Sequence, residues 1–240
     1  MEHLPATNTN DPRYWDSLDL INEQRRQYDL CHGCRLCWNL CPVFPDLFDL
    51  TDAVQGEMQQ ISAGEFSNIE SNCFQCKLCW VVCPYTSPHE YNLDIPRLIA
   101  RSKFILSKNE GVKFNKKIIA DQDKLAKLAG GPMAPLTNFV NNFTPTRIVN
   151  ELILDIHRNA KLPNYKTQSF SSWFKELYGE RLKPSDNPVR KIAFFPSCTL
   201  DYNDTQIGKA AISVLAHNNV EVIVPEHQCC GMPLIDIGDY

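Results

Sequence analysis

Apolar residues recur at helical spacing over the first part of the chain. Asp11 is a suitable N-cap and Pro12 a suitable first helical residue, so the pattern predicts a first helix that begins there and ends near Tyr28. Residues 94–96 open another helix with apolar positions on one face. No alternating run of β-branched residues separates these segments. The pattern therefore predicts an all-helical domain over residues 1–108.

The last quarter of the chain has a different pattern. Residues 191–195 and 220–224 are short apolar runs typical of buried strands, and Asp204 can cap a helix between them. That helix has apolar positions at helical spacing: Ile207, Ala210, Ala211, Val214 and Leu215. A strand–helix–strand unit of this length predicts parallel strands. Because the sequence ends at Tyr240, soon after one such unit, we expect residues 189–240 to be an incomplete α/β domain and the chain to be a fragment or a truncated reading frame.

Glycine and proline punctuate the segment between these two regions. The stretch 130–132, Gly-Gly-Pro, is a clear break, and further prolines follow it. A helix from about Thr146 to Asn159 fits the apolar spacing. We interpret residues 109–188 as a helical arm that connects the domains. The expected fold class is thus all-helical followed by α/β, with a small parallel sheet near the carboxyl end.

Composition excludes several classes of function. The chain has 240 residues and a formal net charge of −4, which argues against a nucleic-acid surface rich in Lys and Arg. No apolar run reaches the roughly 18–20 residues of a membrane span, and the polar first ten residues do not resemble a signal peptide. We therefore expect a cytoplasmic protein. Eleven cysteines cannot all pair as disulfides, because the number is odd.

Eight of the cysteines form an internal repeat. Both copies have the spacing C-x2-C-x2-C-x3-C-P, and both carry a basic residue after the second cysteine and a Leu and a Trp around the third. The first copy contains Cys31, Cys34, Cys37 and Cys41, and the second contains Cys73, Cys76, Cys79 and Cys83. Two matching copies imply a pseudo-twofold arrangement of two similar sites.

This spacing is typical of a pair of [4Fe–4S] clusters in which the fourth cysteine of each copy binds the other cluster. One cluster is then expected at Cys31, Cys34, Cys37 and Cys83, and the other at Cys73, Cys76, Cys79 and Cys41. Zinc is the alternative, but structural zinc sites use two separated ligand pairs, which this spacing fits poorly. Disulfides fit less well still. The pattern favours iron–sulfur clusters and therefore electron transfer.

The remaining cysteines lie in the α/β region. Cys198 follows the first predicted strand, and Cys229 and Cys230 follow the second, with Gly231 next to them. Open α/β sheets place their sites at the carboxyl ends of parallel strands, so these cysteines are a tentative, incomplete third site. The alternative is that they are small buried apolar residues. We expect a further cluster here only in a longer chain.

The α/β cysteines carry a family resemblance. Pro-Ser-Cys at 196–198 and Cys-Cys-Gly-Met-Pro at 229–233 resemble the first half of a cysteine-rich CCG domain, which occurs in heterodisulfide reductases and in the iron–sulfur subunits of glycolate, lactate and anaerobic glycerol-3-phosphate dehydrogenases. A dicluster domain followed by a CCG domain is the order in those subunits. The arm is similar to the C-subunits of the anaerobic glycerol-3-phosphate dehydrogenase family at residues 135–136, 162–165, 171–174 and 194–195.

The resemblance implies an electron relay that takes electrons from a flavoprotein dehydrogenase and passes them toward membrane quinone, with a peripheral position at the inner face of the cytoplasmic membrane. The substrate would be glycerol 3-phosphate or a 2-hydroxy acid such as glycolate or lactate, oxidised on the partner. Thiol–disulfide chemistry of the heterodisulfide reductase type is the alternative function. A third interpretation is a module that uses metal only for folding. The sequence shows no nucleophilic triad or phosphate loop, so no catalytic residue is assigned.

Overall fold

The computed structural model describes residues 8–178 and 188–239. The chain forms two compact units, one of residues 1–112 with 234–240 and the other of residues 113–233. The described part is mostly helical with one small parallel sheet, which confirms the expected fold class in outline. Among its helices, none combines the length and the apolar character that a membrane span needs. The predicted three-domain division stays a prediction.

The first unit is built from five helices and two 3-10 turns. The turns are Pro12–Trp15 and Met58–Gln60, and the helices are α1 (Ser17–Cys34), α2 (Val43–Ala53), α3 (Ala63–Glu70), α4 (Leu78–Val82) and α5 (Ile95–Glu110). The cysteine motifs occupy the end of α1, the loops around α4 and the stretches next to them. The helices therefore hold the ends of the motifs while the motifs themselves are largely turns.

The predicted bounds of the first helix were wrong at both ends. Asp11 caps only a 3-10 turn, because its carboxylate accepts from Arg13 N and the chain then becomes extended at Asp16. The Asp16 carboxylate accepts from two further backbone N–H groups and starts α1, which continues to Cys34. The first two cysteines of the first copy thus lie on the last turns of a helix.

Aromatic and aliphatic side chains from α1, α2, α3 and α5 form the core of the first unit. The largest of those that are fully buried are Tyr28, Phe44, Leu47, Phe48, Phe66, Leu98 and Ile99. Five motif cysteines pack against this core while remaining partly accessible: Cys31, Cys37, Cys41, Cys73 and Cys79. The core consequently supports one side of both cysteine groups.

A buried arginine ties the start of the chain to α5. The side chain of Arg101 is 3% exposed, and its guanidinium donates to Tyr14 O at 2.7 Å, Arg13 O at 2.6 Å and Asp19 Oδ1 at 2.8 Å. Because one fork-shaped group satisfies two backbone carbonyls and a carboxylate, it fixes the 3-10 turn and α1 on α5 at once.

In the part of the second unit that the structure describes, there are eight helices and the sheet. The helices are α6 (Phe114–Ala120), α7 (Gln122–Ala129), α8 (Ala134–Asn142), α9 (Thr144–Leu154), α10 (Phe170–Tyr178), α11 (Cys198–Tyr202), α12 (Thr205–His217) and α13 (Met232–Ile237), the last of which continues past residue 233; a 3-10 turn spans Gly131–Met133. Strands β1 (Arg190–Ala193) and β2 (Val220–Ile223) pair in parallel with Arg190 opposite Val220. The predicted strands and the helix between them are present, but the expectation that both strands are buried was wrong for β1, where three of four residues are exposed because a two-stranded sheet gives it little cover. The helix predicted at 146–159 begins earlier and ends at Leu154, where Asp155 turns left-handed.

The core of the second unit combines the sheet with α10. Phe170 and Ile212 are fully buried, and Phe174 and Val222 nearly so. The ring of Phe170 approaches α12 so closely that a Cβ on Gly208 would lie 2.6 Å from Phe170 Cδ2 and 2.6 Å from Leu200 Cδ2. Aromatic residues that the sequence places in the arm thus pack beneath the sheet.

Arg101→Met should destabilise the first unit. Removal of the guanidinium takes its donor from Tyr14 O and from the Asp19 carboxylate, and a buried acceptor that loses its donor typically costs about 1–3 kcal/mol. Arg97→Met on the same helix is the control, because Arg97 is 57% exposed and pairs only with Asp94. Guanidinium unfolding followed by circular dichroism should show a large fall in midpoint for Arg101→Met alone. Equal midpoints for the two variants would contradict this role.

Gly208→Ala should destabilise the second unit, although alanine favours helices by about 1 kcal/mol over glycine. The added methyl group overlaps Phe170 and Leu200, and overpacking of this kind costs about 1–3 kcal/mol. Gly64→Ala in α3 is the matched control, since its Cβ would meet no atom closer than 4.0 Å. Thermal unfolding should show a lower melting temperature for Gly208→Ala than for the wild type, and an unchanged one for Gly64→Ala.

Candidate metal centres

Four thiols from the two repeats line one cavity in the first unit. Cys31 and Cys34 come from the last turns of α1, Cys37 from the turn after it, and Cys83 from the residue after α4. The rest of the lining is largely apolar and consists of Leu36, Phe44, Phe48, Pro84, Tyr85 and Leu93. The structure therefore brings the fourth cysteine of the second copy to the first three cysteines of the first copy.

The other four cysteines also lie near one another. Burial raises the pKa of Cys79, and nearby cysteines raise it further: Cys37 of the first group, then Cys73, Cys41 and Cys76. Cys79 is thus close to members of both groups, so the two four-thiol sets are neighbours. The assignment of exchanged fourth ligands to two clusters stays a prediction.

Burial and mutual repulsion raise the pKa of three of these thiols. Burial is the larger cause, and nearby cysteines add to it. The pKa of Cys37 is raised to about 11 and that of Cys79 to about 12, while the pKa of Cys31 is raised well above its usual range. Metal binding requires thiolates, so loading these groups must release protons.

The basic residue after the second cysteine has a backbone role in both copies. Arg35 and Lys77 both adopt the left-handed conformation, with φ of 53° and 61°. Arg35 ends α1 and its N–H donates to Cys31 O at 2.8 Å, whereas Lys77 precedes α4. The left-handed residue turns the chain sharply between the second and third cysteines. The sequence showed the repeat here but not its conformational reason.

The side chain of Arg35 is held by an acidic partner. Asp52 on α2 accepts from Arg35 Nη2 and pairs with His32 Nε2 at 2.7 Å. Hydrogen bonds from these two side chains hold the pKa of Asp52 at about 2. Trp38 lies nearby and stacks on Phe48 with the ring centroids 5.7 Å apart. Packing and ion pairing together fix the first motif on α2.

Sequence reasoning missed two polar residues beside Cys73. Gln75 N and Gln75 Nε2 lie 3.5 Å and 3.7 Å from Cys73 Sγ, and Lys103 Nζ donates to Cys73 O at 2.9 Å. One signal was available, because Gln75 occupies the repeat position at which the first copy has Gly33. Lys103, on α5, gave no signal.

A buried carboxyl group lies next to this region and was also missed. Glu70 is 1% exposed, accepts from Gln24 Nε2 at 2.6 Å and accepts from the Tyr28 hydroxyl. Burial raises the pKa of Glu70 to about 7, against the lowering effect of its hydrogen bonds. An acidic residue on a short helix is ordinarily exposed, so the sequence gave no reason to single it out.

The three cysteines of the tentative third site share a cavity in the second unit. Cys198 is the first residue of α11, and its Sγ lies 3.8 Å from Cys229 Sγ. Cys230 lines the same cavity and is exposed. Burial, followed by the hydrogen bond with Cys229, raises the pKa of Cys198 to about 12. The left-handed Gly231, with φ of 76°, follows the cysteine pair.

An aspartate from the arm also reaches this cavity. Asp123 on α7 accepts from the Tyr202 hydroxyl at 3.2 Å, and both residues line the cavity together with His227. Asp123 also pairs with Lys127 at 2.6 Å. The sequence placed α7 in the arm, far from the cysteines along the chain, and so gave no hint of this carboxylate.

The donor sets fit iron–sulfur cofactors. Each group in the first unit offers four thiols, the Cys31 group lies in a largely apolar cavity, and thiolates are the ligands of such clusters. Within residues 8–178 and 188–239, no three His, Cys, Asp or Glu side chains lie close enough to hold a single metal ion.

Two family models match the chain. The Fer4-like domain of citrate utilization protein B matches residues 24–106, which contain both cysteine copies. The cysteine-rich CCG domain matches residues 192–239, which contain the third group. These two matches cover both thiol-bearing regions and leave the arm between them unmatched. No solved structure matches the chain.

Several curated proteins are similar over part of their length. The C-subunit of anaerobic glycerol-3-phosphate dehydrogenase from Escherichia coli is 32% identical over 108 residues, which is 45% of this chain and 26% of that protein. The B-subunit of the fumarate reductase (CoM/CoB) from Methanothermobacter marburgensis is 43% identical over 90 residues, 35% and 17% of the two chains. An uncharacterized iron–sulfur protein of Methanococcus maripaludis is 37% identical over 84 residues, 35% and 16%.

These alignments cover about a quarter or less of each relative's own length. Two of the relatives are named as subunits of a dehydrogenase or a reductase, and the third is named as an iron–sulfur protein. Residues 24–106 therefore match a Fer4-like domain and residues 192–239 a cysteine-rich CCG domain, and over part of its length the chain is homologous to the C-subunit of anaerobic glycerol-3-phosphate dehydrogenase and to iron–sulfur proteins of the fumarate reductase type.

Proposed function

We propose that this chain is an electron-transfer subunit that holds two [4Fe–4S] clusters with exchanged fourth ligands. One set is Cys31, Cys34, Cys37 and Cys83, and the other is Cys73, Cys76, Cys79 and Cys41. The observation that carries the proposal is the cavity in which Cys83 joins three cysteines of the other repeat. When bound, such clusters supply one-electron transfer at potentials set by their surroundings.

The protein contributes position and exclusion of water. Phe44 and Phe48 on α2 are each no more than 2% exposed and form the inner wall of the Cys31 cavity. Leu36 and Trp38 on the outer side are 60% and 39% exposed, so one side of the site stays near the surface. A redox centre between the buried rings of Phe44 and Phe48 and the partly exposed side chains of Leu36 and Trp38 is close enough to the surface to exchange electrons with a partner protein.

We further propose that the electrons come from a flavoprotein dehydrogenase partner and go toward membrane quinone. The similarity to a subunit of anaerobic glycerol-3-phosphate dehydrogenase supports glycerol 3-phosphate as the substrate of that partner, and a 2-hydroxy acid such as glycolate or lactate is the alternative. This role places the chain in the cytoplasm, peripherally at the inner membrane face. Purification with its natural partner, followed by substrate screening, identifies the substrate.

The second candidate function is thiol–disulfide chemistry of the heterodisulfide reductase type. The observation in its favour is the cavity that holds Cys198 and Cys229 with their sulfur atoms 3.8 Å apart. The two functions differ in the partner that co-purifies: a flavoprotein dehydrogenase supports the relay, and reductase subunits support the alternative. Reversible reduction of the clusters would exclude a module that uses metal only for folding.

Cys83→Ser tests the exchanged ligands. Chain prepared without oxygen should contain about eight irons and a matching amount of sulfide, and the variant should fall to about four. The set with Cys73 should keep all its ligands, because its fourth ligand is Cys41. Cys41→Ser is the matched control and should spare the other set. A crystal structure or site-resolved spectroscopy of each variant identifies the surviving cluster. Survival of the Cys31 set in Cys83→Ser, or zinc as the dominant metal, would contradict the assignment.

The CCG cysteines should hold no stable third cluster in the 240-residue chain, because three thiols do not complete the ligand set of a four-iron cluster. Replacing Cys198, Cys229 and Cys230 together by Ser should leave the iron content at about eight per chain. A longer chain that supplies further cysteines should bind additional iron, and the same triple replacement should remove it. Loss of a stoichiometric cluster from the 240-residue chain on triple replacement would contradict this expectation.

A further inference from the structure

The two thiol sets have unequal polar surroundings, although their motifs match in sequence. On the Cys73 side, the sulfur atom of Cys73 faces two N–H groups of a single residue. Gln75 N lies 3.5 Å from Cys73 Sγ, and Gln75 Nε2 lies 3.7 Å from it. The side chain is not free to leave, because Gln75 is only 6% exposed. Its left-handed backbone, with φ of 53°, points both groups toward the sulfur.

A cation adds to these donors. Lys103 Nζ, 13% exposed, donates to the carbonyl oxygen of Cys73 at 2.9 Å. Its ion-pair partner is Asp236 at 2.8 Å, and the effect of Lys103 on Cys73 is larger than the opposing effect of Asp236. The basic residue of this motif, Lys77, forms no ion pair within the described part of the chain. Positive charge is thus concentrated around the second motif.

The Cys31 side lacks the corresponding groups. Gly33 stands at the repeat position of Gln75 and has no side chain to donate. Across the described residues, no group donates a hydrogen bond to Cys31 Sγ. The one polar side chain that lines this cavity other than the thiols is Tyr85, whose hydroxyl is hydrogen-bonded to Cys34, so this set has a single donor where Cys73 has two donors and a nearby cation. Arg35 is matched by Asp52 at the motif itself.

Hydrogen bonds to ligand sulfur and nearby positive charge stabilise the more negative, reduced form of an iron–sulfur cluster and so raise its reduction potential. We infer that Gln75, assisted by Lys103, makes the Cys73 set the higher-potential of the two sites and thereby the one at which the first electron comes to rest. This inference rests on the proposed two-cluster function. It assigns Gln75 a positioning role: it acts through Cys73 and does not bind iron.

A difference in potential between the two sites gives electron flow within the first unit a direction. An electron that enters at the Cys31 set moves downhill to the Cys73 set, because the accepting site is better stabilised in its reduced form. The donor protein should then contact the side of Cys31, and the acceptor the side of Cys73. Both motifs have exposed apolar residues that such partners can cover, including Leu36 on the first and Phe74 and Val81 on the second.

The test is a redox titration followed by electron paramagnetic resonance on the 240-residue chain loaded with iron and sulfide. Gln75→Leu removes the amide donor and keeps a similar volume, and Gln75→Asn is the control that keeps an amide and tolerates the left-handed backbone. Gln75→Leu should lower the higher midpoint potential by about 59 mV, the equivalent of a tenfold change in a one-electron equilibrium. Gln75→Asn should lower it by less, and neither variant should move the lower midpoint.

Tyr85→Phe is the reciprocal variant. It removes the hydroxyl beside Cys34 and should lower only the lower midpoint potential. Wild-type chain labelled with ¹⁵N at glutamine and reduced by one electron should in addition show magnetic coupling between the unpaired electron and Gln75, and Gln75→Leu should abolish it. The coupling in the wild type alone reports which cluster is reduced first. It therefore tests the inference even if Gln75→Leu fails to assemble the second cluster.

Iron and sulfide content distinguishes a failure of the proposed two-cluster function from a failure of the inference about Gln75. A chain without about eight irons contradicts the proposed function before any potential is measured. With both clusters present, the inference is overturned if Gln75→Leu shifts the lower midpoint, if it shifts neither, or if the half-reduced wild type shows no coupling to Gln75. Iron content that is unchanged in Gln75→Leu, together with a shift of the higher midpoint alone, excludes a merely structural role for Gln75.

Discussion

The first unit depends on the need to bring thiols from distant parts of the chain to the same place. Cys83 lines a cavity with Cys31, Cys34 and Cys37, three cysteines of the other repeat. The helical core supplies the framework for this exchange, since α2 and α3 lie between the repeats in sequence and pack against α1 and α5 in space. An apolar core around ligand thiols favours their neutral form, so metal binding, which needs thiolates, is coupled to the release of protons.

Local backbone conformation then decides how each repeat presents its sulfur atoms. Left-handed residues at Arg35 and Lys77 turn the chain at the same point of both motifs. The second motif has a further left-handed residue at Gln75, where the first remains helical through Gly33. A repeat that is symmetric in its cysteines thus becomes asymmetric in the groups around them. Unequal surroundings are what allow two chemically identical centres to differ in affinity for an electron.

The elements with strong periodicity could be predicted from sequence, and the polar details could not. The βαβ order, the helix after Asp204 and the grouping of Cys83 with the first motif follow from regular spacing. The break after Asp16 does not, because two nearby aspartates are equally good caps and only their hydrogen bonds distinguish them. Asp123, Gln75 and Glu70 reach their sites through tertiary packing. Their roles depend on contacts with residues far along the chain, and a single sequence carries no record of those contacts.

The Arg101 contacts span almost the whole first unit, since Tyr14 and Arg101 are 87 residues apart in sequence. During translation, the 3-10 turn and α1 leave the ribosome long before α5. Their contacts with Arg101 therefore cannot form until both cysteine repeats have been made. The segment 234–239 packs on α5 later still, where Gly238 approaches the Lys103 backbone too closely for any larger residue. Cofactor delivery therefore meets a domain whose last contacts form only after residue 238 has been made, more than 150 residues after the second cysteine motif, so the timing of translation affects when the centres can be built.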